Sequence, residues 1–212
     1  AIVLDDPVSS LDHDRRRVVA RRLAHCAEER QVIVFTHDLV FLHMLKAETE
    51  ARVVALTMRE IRRTRHAPGV CAQHPPTQVM FIKELVGVLN AHHQKIATQH
   101  RHDDLDAYER DLPRGYGLLR EAWERAVEEL LFNQAVMRFD HRVQTQRLKK
   151  VHDICEEDLR EIEAGMTVCS AWLTGHSHAY ASNETLPLPD DFQREIHRLK
   201  DFIASMRKRD RN

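Results

Sequence analysis

Two adjacent carboxylates, Asp5 and Asp6, follow the apolar residues Ile2, Val3 and Leu4. The apolar run has the pattern of a short buried strand. Pro7 ends it, because proline lacks a ladder donor and restricts the residue before it. In open α/β sheets, ligands collect outside the carboxyl ends of the strands. Paired acids at such an end suit a Mg²⁺-nucleotide. Alternation along a strand puts their side chains on opposite faces, so the two should do different work. A second apolar run, Val32–Phe35, leads to Thr36, His37 and Asp38, which sets an imidazole beside another strand end.

Three segments in this order carry a resemblance. Ile2–Pro7 (IVLDDP) resembles the Walker B segment of ABC-type ATPases, the SMC- and RecF-like group. Ser9–Asp12 (SSLD) resembles their D-loop, and Val32–Asp38 (VIVFTHD) resembles the next strand with its switch histidine. The resemblance implies that Asp5 holds Mg²⁺ directly or through water. It implies that Asp6 polarises the attacking water, where most such ATPases carry the longer glutamate. His37 would touch the γ-phosphate of ATP. Ser10 and Asp12 would face a second ATPase head, in a homodimer that closes on nucleotide.

Such an ATPase also needs a P-loop, GxxxxGK[ST], whose backbone donors cradle phosphate. None of the six glycines builds one. The chain opens on Ala1 inside a motif, and the expectation is the C-terminal piece of a longer ATP hydrolase.

Composition sets bounds on the partners. The 212 residues carry 32 basic and 33 acidic side chains, a formal net charge of −1. That argues against a generally basic nucleic-acid coat and leaves local patches open. No apolar run approaches the roughly 18 residues of a membrane span. Cys26, Cys71, Cys155 and Cys169 include no CxxC pair and read as free thiols of a cytoplasmic protein. Cys71 and His74 have CxxH spacing, but no second ligand pair completes a zinc site.

The expected fold class is α/β: a partial parallel-sheet P-loop ATPase core followed by an all-helical C-terminal domain. The core covers 1–65, a Pro- and Gly-containing linker 66–77, and the helical domain 78–212. Within the core, His13–Arg30 reads as a helix capped by Asp12 or Ser10, with Val18, Val19, Leu23 and Cys26 inward. Its arginines, Arg15, Arg16, Arg17, Arg21 and Arg22, form a basic band. A helix from Asp38 to about Glu50 follows, then a third strand at Val53–Thr57. Beyond the linker, Val79–His100 is one amphipathic helix and His100–Asp111 a charged connection. Tyr116 to about Phe139 is a long helix, Val143–Gly165 one or two more, and Met166–Leu173 a short one. Asn183–Asp190 is a loop, and Asp191–Arg209 is the last helix.

The helical part also holds residues suited to RNA cleavage, which needs a base, an acid and a cation. Arg120 and Glu124 have the RxxxE spacing of anticodon nucleases, with His176 and His178 downstream. Arg147 and His152 have the RxxxxH spacing of HEPN-type RNases. Chance alone supplies about two pairs of each kind in a chain this rich in Arg, Glu and His. Arg120 and Glu124 fall at the edge of an apolar helical arc, which favours a structural i,i+4 pair.

The expected function is therefore ATP hydrolysis coupled through head dimerisation to work on nucleic acid, DNA or tRNA, in DNA repair or anti-phage defence. The alternatives are an ATP-gated RNase of the anticodon-nuclease-like defence branch, and a non-catalytic interaction module.

Overall fold

The computed structural model of the chain describes residues 1–65, 67–72, 75–138, 143–151, 153–173 and 186–209. They form two compact units: Ala1–Val79 with Arg138, and Met80–Met137 with the described residues from Val143 on.

In the first unit, β1 (Ile2–Asp5) pairs in parallel with β2 (Val32–Phe35), in the register Ile2 with Val32 and Asp5 with Phe35. The helix α1 (His13–Cys26) connects them, and α2 (Leu39–Ala51) follows β2. Both helices start on side-chain caps. Asp12 accepts from Arg15 N at 2.9 Å, and Asp38 accepts from Phe41 N at 2.9 Å. Their shared core is Val8, Ala20, Phe41, Met44 and Leu45, with Val34 of β2 packed against it. The strands alternate between half-buried and exposed positions. Ile2, Leu4, Val32 and Val34 lie on one face, while Val3, Ile33 and Phe35 are 61%, 38% and 45% exposed on the other. A short antiparallel pair, β3 (Ile61–Arg62) with β4 (Val70–Cys71), crosses the stretch read as linker.

The second unit is helical: α3 (Ile82–Arg101), α4 (Leu105–Ala126), α5 (Glu156–Leu173) and α6 (Pro189–Arg209). A π-helical turn, Val127–Leu131, extends α4, and a 3₁₀ segment covers Thr145–Lys150. α4 packs on α3 and α5, and α6 packs on α3. The core between them is built from Leu85, Leu89, Tyr116, Trp123, Phe192 and Leu199.

These elements correct the expected fold class. The chain is mostly helical, with only two two-stranded sheets among the described residues and no parallel P-loop sheet core. The apolar run Val53–Thr57 forms no strand. Val53 takes a left-handed φ of 58° as α2 ends, and the segment after it lies beyond a cleft from β2 with no ladder partner. β2 is therefore not central among the described residues. Val18, expected inward, is 63% exposed, and the buried residues of α1 are Ala20 and Ala24.

The helical half shifts in the same way. Asp104 caps α4 by accepting from Ala107 N at 3.3 Å, so the charged connection shrinks to His102–Asp104. α4 continues through Pro113, held by buried Tyr108 and Leu112. α5 runs unbroken through Gly165, where Trp123 packs so closely that an added Cβ would lie 2.4 Å from its ring.

Candidate functional site

β1 and β2 end side by side, and the parallel register places Asp5 next to Phe35 and the residues after it. Asp6 N donates to Phe35 O at 2.8 Å, which continues the ladder one residue past β1. There the chain turns: Asp6 has φ 43°, a left-handed conformation that Asp tolerates better than most residues. The turn carries Pro7–Ser10 away from the strand, and Leu11 N donates to Val8 O at 3.0 Å to close it. Val8, fully buried, anchors this loop.

The two acids have different surroundings. Asp5 is exposed and makes no hydrogen bond or ion pair with a described residue. Asp6 is 24% exposed and engaged on both oxygens. Thr36 Oγ1 donates to its Oδ1 at 3.2 Å, and His37 Nδ1 lies 3.1 Å from its Oδ2. A carboxylate on Nδ1 fixes the proton there in the neutral ring, so Nε2 is left as the acceptor. His37 is 84% exposed, and that nitrogen is free for a ligand or water.

A second layer of contacts holds this arrangement. Asp38 N donates to Thr36 Oγ1 at 3.1 Å, which fixes the hydroxyl that meets Asp6. Asp38 Oδ2 pairs with Arg16 Nη1 at 2.7 Å, and Arg16 Nε donates to Leu11 O at 2.9 Å. One arginine thus ties the loop after β1 to the end of β2. Sequence reasoning placed Arg16 in a basic band and missed this role. The only signal was that it sits in the first turn of a helix leaving that loop. Ser10 is exposed and makes no hydrogen bond with a described residue. Asp12 is the cap of α1 and also pairs with Arg15 Nε at 3.4 Å.

A cleft of about 910 Å³ opens beside these residues. Asp5, Asp6, His37 and Asp38 line one part of it, β2 forms one wall, and Val54–Ile61 forms another. No described cluster of three or more His, Cys, Asp or Glu residues could hold a metal ion by itself. The fit to Mg²⁺ is of another kind. This ion is bound by one or two carboxylates, keeping waters and substrate phosphates as its other ligands. Asp5, exposed and unpaired, has the right donor for that role.

The helical residues behave differently. Arg120 Nε meets Glu124 Oε1 at 3.3 Å, and Arg120 Nη1 donates to Ser170 Oγ. The pair thus stitches α4 to α5 and is 37% and 30% exposed. Arg147 Nη1 donates to Gln134 Oε1 at 2.5 Å. His74, His152, His176 and His178 lie outside the described residues. All four cysteines are free, and burial pushes the Cys169 thiol up to about 12. The chain matches no family model, no curated protein and no solved structure.

Proposed function

We propose that this chain supplies the carboxylate side of an ATP-hydrolysing site of the ABC type, in a protein that dimerises on ATP and acts on nucleic acid in DNA repair or anti-phage defence. The observation that supports this reading is the strand pairing. It brings Asp6 and His37, far apart in sequence, to 3.1 Å at the ends of two parallel strands, with Asp5 unpaired beside them. Asp5 would hold Mg²⁺, which supplies charge neutralisation at the phosphates when bound. Asp6 would orient and deprotonate the attacking water, its position fixed by Thr36 and His37. His37 Nε2 would donate to a terminal phosphate oxygen only in the ring protonated on both nitrogens, with Nδ1–H still on Asp6. Phosphate-cradling backbone donors must come from another stretch of polypeptide, since no P-loop pattern occurs in the 212 residues. The exposed arginines of α1, Arg15, Arg21 and Arg22, are the surface that would meet nucleic-acid phosphates.

The test uses the intact protein. Asp6→Asn should keep ATP binding and lower hydrolysis by roughly 10²–10⁴, the usual scale for losing a general base. That corresponds to about 3–5 kcal/mol of barrier. Asp5→Asn should instead weaken Mg²⁺-dependent nucleotide binding. Hydrolysis at the parent rate by Asp6→Asn would refute the reading.

A further inference from the structure

Between Glu50 and Glu84 the sequence holds one acid, Glu60, against Arg52, Arg59, Arg62, Arg63, Arg65 and Lys83. The chain as a whole has a formal net charge of −1, so this run stands out. Most of its bases fall on the β3–β4 hairpin. The antiparallel pairing sets Ile61 opposite Cys71 and Arg62 opposite Val70. Ala72 N donates to Glu60 O at 2.7 Å and closes the base of the hairpin. Toward the tip, Thr64 N and Thr64 Oγ1 both donate to Ala67 O at 2.9 Å. Pro68 and Gly69 follow, and Gly69 takes φ 79°, the positive value that a type II turn requires after its proline.

Every described residue from Ile61 to Cys71 is exposed, and even the apolar Ile61 and Val70 are 54% and 42% exposed. Neither face of the ribbon is buried. A two-stranded hairpin alone is marginal in water, so this one has stability to gain from a partner. The arginines show what kind. Arg62 is already paired, with Nη2 2.6 Å from Glu60 Oε2. The guanidinium groups of Arg63 and Arg65 make no hydrogen bond or ion pair with a described residue, and Arg59 Nη1 reaches only Met58 O at 3.4 Å. Three exposed cations on one hairpin, with the sole nearby acid spent on a fourth, make a surface for an anion.

We infer that the β3–β4 hairpin is an arm that enters the major groove of duplex DNA, with Arg59, Arg63 and Arg65 on phosphates. Arginine meets phosphate through a planar fork of donors. The major groove of B-form DNA is about 12 Å wide and about 8.5 Å deep, and it admits a two-stranded ribbon. Glu60–Thr64, at about 3.4 Å per residue, extends about 14 Å, longer than the groove is deep. The major groove of an RNA duplex is too narrow for such an arm. An acidic peptide would answer the charge but not the shape. The inference rests on the nucleic-acid part of the reading above and needs none of the ATPase chemistry at Asp5, Asp6 and His37.

The test uses the intact protein without nucleotide. The probe is a fluorescent DNA duplex of roughly 20 base pairs, two helical turns, and its anisotropy is followed over a salt series. Arg63→Gln combined with Arg65→Gln should weaken binding about tenfold or more near 0.1 M salt, and should flatten the slope of log K against log salt by about two. Thermal melting should not move, because both side chains are exposed. Glu60→Gln releases Arg62, so it should tighten binding and steepen the slope by about one. The inference is overturned if the double variant keeps the parent's affinity and slope, or if Glu60→Gln fails to tighten binding. Competition by an RNA duplex or by polyglutamate as strong as that by DNA also overturns it. If Arg21→Gln with Arg22→Gln abolishes binding while the hairpin variant binds like the parent, the arm fails and the nucleic-acid reading stands. If the parent binds no DNA, both fall, and the ATPase reading is still decided by Asp6→Asn.

Discussion

Asp111 shows how a single buried charge can couple this protein to pH. Its carboxylate is 1% exposed, with Lys95 Nζ at 2.7 Å, Arg114 Nη1 at 3.2 Å and Arg110 Nε at 3.5 Å. Gln99 Nε2 donates to it at 2.8 Å. Burial opposes the ionised form, but the Gln99 and Lys95 hydrogen bonds and the Lys95 and Arg110 charges outweigh it. The pKa is held at about 2, below the ordinary 3.8. The folded state thus binds its proton more weakly than the unfolded chain. The stabilisation is complete above 3.8 and is lost as pH falls through about 2. It amounts to at most about 2 kcal/mol, because the partner cations are exposed and screened. Asp111→Asn should therefore melt lower than the parent at neutral pH, and the gap should close on titration toward pH 2. A gap independent of pH would show that packing alone is at stake. At Asp12 the two roles of a carboxylate can be separated. Asp12→Ala should cost about 1 kcal/mol through the lost cap, while Asp12→Asn keeps the cap. If Asp12 acts across an ATP-driven dimer, both variants should sediment as weaker dimers in ATP. If it is only a cap, Asp12→Asn should match the parent.

Among the helices, two glycines make opposite predictions. At Gly165 a Cβ would sit 2.4 Å from Trp123, whose side chain is fully buried. Gly165→Ala should destabilise by about 1–3 kcal/mol through overpacking. At Gly87, exposed within α3, a Cβ meets nothing within 4 Å. Gly87→Ala should stabilise by about 0.5–1 kcal/mol, since alanine is the better helix former. Thermal melting of the two variants checks both signs. The same glycines explain what was legible in the sequence. Strands β1 and β2, helices α1 and α2, and the span of α6 follow from periodicity and caps, which are local. The continuity of α5 through Gly165 and of α4 through Pro113 depends on partners in other helices. Locally a glycine or a proline reads as a stop. Val53–Thr57 fails for the complementary reason: its local pattern suits a strand, but no described neighbour offers it a ladder. In the site, Asp5, Asp6 and His37 were legible as strand ends. The Arg16–Asp38 link was not, because it joins a helix to a loop across the fold.

At the scale of the whole molecule, the two units differ in how much they bury. The first rests on Val8, Ala20, Phe41, Met44 and Leu45 and leaves one sheet face exposed. The second closes around Trp123, Tyr116, Phe192 and a larger set of aliphatic residues. Opening free energy follows buried apolar contact, so the amides of β1 and β2 should exchange well before those of α4. Equal exchange in the two would mean that the first unit is stabilised by something other than its core. With no P-loop pattern present, the 212 residues alone should show no micromolar Mg-ATP binding by calorimetry. The left-handed turn at Asp6 also has a consequence for how the whole chain can change under selection. Glycine takes that backbone conformation without steric cost, and asparagine takes it readily. A display library sorted only for resistance to heat should therefore drift at position 6 toward glycine and asparagine. One sorted for hydrolysis by the intact protein should hold aspartate there, so the two kinds of selection diverge at a single codon.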